Sequence, residues 1–144
     1  MSEMFCFQCE QTAGGKGCTR SGVCGKKPET ARLQDLLIGE LVALAGGEGF
    51  TRTAELDTLV ENALFTTLTN VNFDDLSLAA MVEKVRKIRQ DSGVAEAWDM
   101  NALWSSPEDI RSLKSLLLFG MKGIAAYASH ARVLGRSLEE VTGF

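Results

Sequence analysis

After Cys24 the chain has no further cysteine, and its 144 residues include a single histidine, His130. Beyond position 24 the soft metal donors are therefore that histidine and three methionines, Met81, Met100 and Met121, too few for a second sulfur-rich centre. A lone helical histidine has no partner ligands in sequence reach, and no serine–histidine–acid set can be built around it. Long apolar runs are also missing. The richest stretch, Leu113 to Ala128, is interrupted by Lys114, Gly120, Lys122 and Gly123, which excludes a membrane span. The opening MSEMFCFQCE lacks the apolar core of a signal peptide, so a cytoplasmic location is expected. Basic residues are not in excess: 15 Lys and Arg face 19 Asp and Glu, for a net charge of −4. That balance argues against a general nucleic-acid partner, and 45% hydrophobic content argues against disorder. The glycine-rich stretches Gly14–Gly17 and Gly46–Gly49 follow no strand and carry neither the P-loop nor the dinucleotide pattern.

What the chain does have is four cysteines in its first two dozen residues: Cys6, Cys9, Cys18 and Cys24, spaced C-x2-C-x8-C-x5-C. Gly14, Gly15, Gly17, Gly22 and Gly25 lie among or beside them. A [4Fe–4S] cube needs one thiolate for each of its iron corners. A glycine-rich loop can wrap such a group closely and aim N–H donors at its sulfurs. Residues 1–32 carry Lys16, Arg20, Lys26, Lys27 and Arg32 against Glu3, Glu10 and Glu29. This segment is net positive within an acidic protein, which favours an anionic group held by four thiolates. Three readings compete. Disulfides go against the absence of a secretory signal, because cytosolic thiols stay reduced. Structural zinc suits four cysteines, but zinc knuckles usually repeat C-x2-C, whereas the second half here is C-x5-C. An iron–sulfur cluster is the reading preferred on these grounds. Glu10, beside Cys9, reads as a solvated loop carboxylate.

The remainder reads as helices. Pro28 suits a first turn, and Leu33, Leu37, Leu41 and Leu44 share a face, with Leu36, Ile38 and Val42 elsewhere around the helix. Gly46-Gly47 ends it. Thr53 is the expected N-cap of a second helix carrying Leu56, Leu59, Val60, Ala63, Leu64 and Leu68, broken at Asn70–Asn72. A third places Leu78, Met81, Val82, Val85 and Ile88 inward and closes at Gly93, with Lys84, Arg86, Lys87 and Arg89 on a solvated outer face. A less regular connector, Ala95 to Trp104, is packed down by Trp98 and Trp104. Ser106-Pro107-Glu108-Asp109 is a helix start with Ser106 as N-cap, and that helix stops at Gly135. Ser137-Leu138-Glu139-Glu140 forms a capping box that opens another helix with only four residues after it, which reads as a cut chain. The expected fold is all-α: a Cys-rich metal-binding loop (1–27), a three-helix bundle (28–93), and a connector with the start of a second, truncated bundle (94–144). Apolar faces around Phe119, Ile124, Tyr127 and Val133 would then be covered by another copy, giving a homo-oligomer.

The run Met4 to Ala13, with Gly17-Cys18 and Gly22-Val23-Cys24-Gly25-Lys26, closely resembles the amino terminus of the hybrid cluster protein family, also called prismane protein or hydroxylamine reductase. The resemblance continues through Leu33-Gln34-Asp35-Leu36-Leu37-Ile38, Asp109–Leu113 and Gly120–Ala128. It implies that Cys6, Cys9, Cys18 and Cys24 ligate a [4Fe–4S] cluster, and that the helical body is two three-helix bundles side by side. It also implies that the family's catalytic hybrid cluster is absent, since its later cysteines are missing. The implied function is electron transfer within a hydroxylamine reductase-like oxidoreductase, the chain alone binding a cluster without turnover. Implied partners are a reductase and the rest of the parent protein. The alternative, from another class, is a metal-stapled helical interaction module, holding zinc or a cluster without a redox role. A third reading is a chain that has lost its cluster in air, leaving residues 1–27 disordered or disulfide-linked.

Overall fold

The computed structural model describes residues 4–9, 13–47 and 51–136. Glu10, Gly49 and the capping box at 137–140 lie outside the described residues. A short 3₁₀ turn, Ala13–Gly15, is followed by five α-helices: α1 Pro28–Ala45, α2 Ala54–Thr66, α3 Asp75–Asp91, α4 Asn101–Trp104 and α5 Glu108–Val133. The architecture among the described residues is all-helical, as the apolar periodicity requires.

Local signals set most helix ends. Pro28 occupies the first turn of α1. The Thr53 hydroxyl accepts from the Leu56 N–H at 3.2 Å, and the Asp74 carboxylate accepts from the N–H groups of Leu76 and Ser77. Asn70 (φ 64°) turns the chain between α2 and α3, and Gly93 and Gly135 lie in the left-handed region just past α3 and α5. Around the connector the structure differs from the expectation in two ways. Ser106 does not cap α5; its hydroxyl instead donates to the Ala102 carbonyl, finishing α4, and Pro107 stands at the cap without a side-chain bond. The connector also holds a helical turn of its own, α4, which buries Leu103.

α1 packs along α3, and α2 packs along α5 while touching α1 and α3 more lightly. Leu37, Ile38, Leu41 and Leu44 of α1 meet Leu56, Ala63 and Leu64 of α2, Val82 and Val85 of α3, and Ala125 of α5 in one core. Leu36 and Val42 remain partly in solvent, but five successive residues, Leu37 to Leu41, are buried, so the middle of α1 is covered on several sides. The connector crosses α1 at Gly39. The Trp98 N–H donates to the Gly39 carbonyl at 3.0 Å, and a Cβ at position 39 would collide with the Trp98 carbonyl oxygen. Trp98 itself is half-buried against the core, as the sequence suggested.

Arg89 is not on a solvated face. It is 3% exposed and pairs through Nε with Glu40 (1% exposed), while its Nη1 donates to the Val94 carbonyl. Arg86 reaches the same carboxylate at 2.9 Å. The charge run hid this pairing because Glu40 lies 49 residues away on α1. Removing one partner of a buried pair leaves the other charge uncompensated, at about 3–5 kcal/mol. Glu40→Gln should therefore lower the urea-unfolding free energy by about that amount, against under ~1 kcal/mol for substitution of Glu83, which meets Arg86 at the surface.

Candidate metal centre

The cysteine segment folds back on itself. The Met4 N–H donates to the Thr19 carbonyl at 3.2 Å and the Cys6 N–H to the Cys18 carbonyl at 3.1 Å, which brings Cys6 beside Cys18. Side chains then alternate. Met4 and Cys6 pack with buried Cys18 and with Ala31 of α1, while Phe5 and Phe7 turn toward Trp104 of α4, with ring centroids 4.3 and 6.3 Å away. A tight turn follows, in which the Gly22 N–H donates to the Lys26 carbonyl at 2.8 Å and the Gly25 N–H to the Gly22 carbonyl at 2.9 Å. A Cβ on Gly22 would meet Cys24 Sγ at 3.0 Å and Lys26 Cβ at 2.9 Å, and Gly25 has φ +88°. Glycine is required at both positions, for closeness at the first and for φ at the second.

Cys6, Cys9, Cys18 and Cys24 thus share one loop, and no disulfide joins them. Cys6 is half-buried with Cys9 close enough to act on it electrostatically, Cys18 is buried, and Cys24 is exposed at the turn. Among the described residues, no three side chains of the His, Cys, Asp or Glu types converge closely enough to hold a metal ion. Thiols have no mutual attraction that would gather them, and ligand convergence is coupled to metal binding. His130 is far from this loop in sequence and sits edge-on to Phe65, with ring centroids 5.4 Å apart.

The surroundings of the loop carry the chemistry. Lys26 is 2% exposed, and its ammonium donates to Cys6 Sγ at 3.8 Å. Lys122, from the middle of α5, is fully buried; it donates to Gln8 Oε1 and approaches the Thr67 carbonyl at 3.4 Å. Gln8, the residue just before Cys9, in turn donates through Nε2 to Asp35 of α1. Its own carbonyl accepts from the Thr69 hydroxyl at 3.1 Å. Burial pushes the Cys6 thiol up, against a backbone hydrogen bond from Gln8 and the charge of Lys26. Asp35 is raised from 3.8 to about 7, chiefly by burial, against the Gln8 hydrogen bond and the charges of Lys122 and Lys26. Lys122 is lowered from 10.5 to about 8, by burial and then by Lys26, with Asp35, Cys6 and Cys9 opposing. Two buried ammonium groups and a carboxyl that prefers its proton make an electropositive setting. That setting fits a group carrying the negative charge of several thiolates.

The spacing pointed to the cysteines but not to Gln8, Asp35 or Lys122. One signal was available for Lys122, a cation inside an apolar helical stretch between Gly120 and Gly123. These groups make the metal-free chain respond to pH in two windows. The folded state holds the Asp35 proton more tightly than the unfolded chain, so stability should fall as pH rises from about 4 to 7. It holds the Lys122 proton less tightly, so stability should rise from about pH 8 to 10.5. Chemical denaturation across pH, with Asp35→Asn flattening the first window and Lys122→Met the second, checks both signs.

The chain can be placed among known proteins. It is 44% identical over 177 aligned residues to the hydroxylamine reductase of Methanocella arvoryzae, a match that spans 98% of this chain and 33% of that protein. It is 40% identical to the hydroxylamine reductase of Desulfovibrio desulfuricans and 41% to that of Syntrophobacter fumaroxidans, again over 98% of this chain. The chain spans about a third of the length of these curated relatives. Residues 4–144 match the Prismane/CO dehydrogenase family. With the four-cysteine loop and the helical body that carries it, the chain belongs to the Prismane/CO dehydrogenase family.

Proposed function

We propose that Cys6, Cys9, Cys18 and Cys24 hold a [4Fe–4S] cluster and that the chain is the electron-transfer module of a hydroxylamine reductase-like oxidoreductase. The observation that carries this reading is the pair of buried ammonium groups, Lys26 and Lys122, set against the cysteine loop. When bound, such a cluster takes up and returns single electrons. The protein's own residues supply the rest. Cys6 and Cys18 enter from paired backbone segments, Cys9 follows the Gln8 anchor, and Cys24 comes from the Gly22–Lys26 turn. Lys26 and Lys122 offset the negative charge of the thiolates, which are otherwise costly at this depth. Phe5 and Phe7 pack against Trp104 at one flank of the loop, where Trp104 stays half exposed. In the relatives named hydroxylamine reductase, this module would stand with the part that performs the reduction. This chain has no cysteine after Cys24 and is read as binding a cluster without turnover of its own. No helix among the described residues is long and apolar enough to cross a membrane. A reducing, cytoplasmic setting belongs to this reading, since thiolate ligands stay available there.

Iron, zinc and acid-labile sulfide, measured with an absorption spectrum on protein purified without oxygen, test the reading. About four irons and four sulfides per chain, with a brown band bleached by dithionite, are expected. One zinc without sulfide would replace electron transfer with a metal-stapled helical module.

Self-association belongs to the same proposal. Leu113, Leu116, Leu117, Tyr127 and Val133 on α5 are each more than 60% exposed, and Ile124 is 48% exposed, whereas Phe119, expected on the same face, is half-buried. Apolar surface of this extent on a single helix favours a second copy of the chain as its cover. Sedimentation velocity should find a dimer or larger at tens of micromolar protein, and Leu116→Glu should shift it toward monomer. A monomer at millimolar concentration would discard this part.

A further inference from the structure

We propose that Gln8 and Lys122 form one positioning unit for the Cys6–Cys9 segment: Gln8 clamps the segment between α1 and α5, and Lys122 is the buried counter-cation of the anionic group that the thiolates hold. The inference rests on the cluster reading above and assigns a role to two residues that are not ligands.

The geometry of Gln8 carries the first half. A glutamine amide has one acceptor and one donor end, and Gln8 uses both across the interior. Oε1 accepts from Lys122 on α5 and Nε2 donates to Asp35 on α1. The Gln8 carbonyl accepts from Thr69 in the turn between α2 and α3. Three separate parts of the helical body thus grip the residue that separates Phe7 from Cys9. Gln8 is 1% exposed, so water cannot substitute for any of these partners. A side chain of similar length without the amide would fill the space and lose both ends.

Lys122 carries the second half. It is fully buried, yet the protein atoms that accept from it are neutral oxygens, Gln8 Oε1 and the Thr67 carbonyl. The charged groups acting on it are Asp35 from α1, Lys26 from the loop, and the thiols of Cys6 and Cys9. Asp35 is reached through the Gln8 amide, and Lys26 opposes it. An ammonium at this depth is stabilised by nearby anions: Asp35 is linked to it through the Gln8 amide, and Cys6 and Cys9 would add theirs once they bind a metal group as thiolates. Adding one electron to a group held by those thiolates adds one negative charge beside this cation. Lys122 should therefore favour the reduced form, while Gln8 keeps the distance between charge and loop constant.

The test uses the full chain, purified without oxygen, and starts with iron and sulfide content of the wild type. A wild type lacking both fails the cluster reading, and the clamp is then judged on the metal-free chain alone. There, amide hydrogen exchange is compared in wild type and Gln8→Met. Exchange at residues 4–9 at least tenfold faster, with α1 and α3 unchanged, is expected; unchanged exchange at residues 4–9 overturns the clamp. With a cluster present, a dithionite titration compares wild type, Lys122→Met and Lys122→Arg. Lys122→Met should shift the reduction equilibrium at least tenfold toward the oxidised form, which is about 59 mV for one electron. Lys122→Arg, which keeps the charge, should stay within threefold of wild type. Packing damage alone would move both variants together, so equal shifts, or no shift in Lys122→Met at wild-type iron content, overturn the counter-cation role. If Lys122→Met does not fold, Lys122→Gln takes its place under the same criteria.

Discussion

A lysine with no solvent exposure is the constraint around which this chain is arranged. Burying an ammonium group is costly unless its donors are satisfied and its charge is offset. Lys122 meets that requirement only if α5, the turn after α2 and the Cys6–Cys9 segment come to one place. The same contact point brings in Asp35 through Gln8, and so includes α1. The cysteine loop is therefore docked by polar contacts at its centre and by the Phe5–Phe7–Trp104 contacts at its flank. Apolar packing alone would tolerate the loop in several positions; directed hydrogen bonds in a dry interior do not.

A second buried polar array ties α1 to α3. Glu40 meets Arg89 and Arg86 of α3, and Arg89 continues to the Val94 carbonyl at the start of the connector. One residue earlier, Gly39 lets the connector backbone lie directly on α1. α1 thus holds the α3–connector unit at Gly39 and Glu40 and the cysteine loop at Ala31 and Asp35. Thr30 and Gln34 add bonds from α1 to Asp75 and to the Asn72 carbonyl. The helix that looks in sequence like a simple leucine-rich core element is the one that fixes the loop relative to the rest.

Much of this was legible beforehand, and the misses have physical causes. The helices at 28–45, 54–66, 75–91 and 108–133 follow from apolar spacing and from caps such as Thr53, which depend only on neighbours in sequence. Arg89 looked solvated because its neighbours in sequence are charged, while its partner arrives from α1. Ser106 had the right position for an N-cap, but α4 forms just before it and offers the Ala102 carbonyl instead. The four cysteines were evident from spacing and glycine content. Gln8 and Lys122 were not, because an amide and an amine announce no chemistry until a fold brings them together.

The sequence by itself determined the elements and the thiol loop: which segments are helical, where they stop, and that four thiols lie in one glycine-rich, locally cationic loop. These properties depend on periodicity, capping and composition, which are local. Tertiary structure alone decided which charges are buried and what they face. It places Lys122 against a loop 114 residues away and Arg89 against a carboxylate 49 residues away. The energy of a charge is set by the dielectric and the partners around it in space, and neither is a property of its position along the chain.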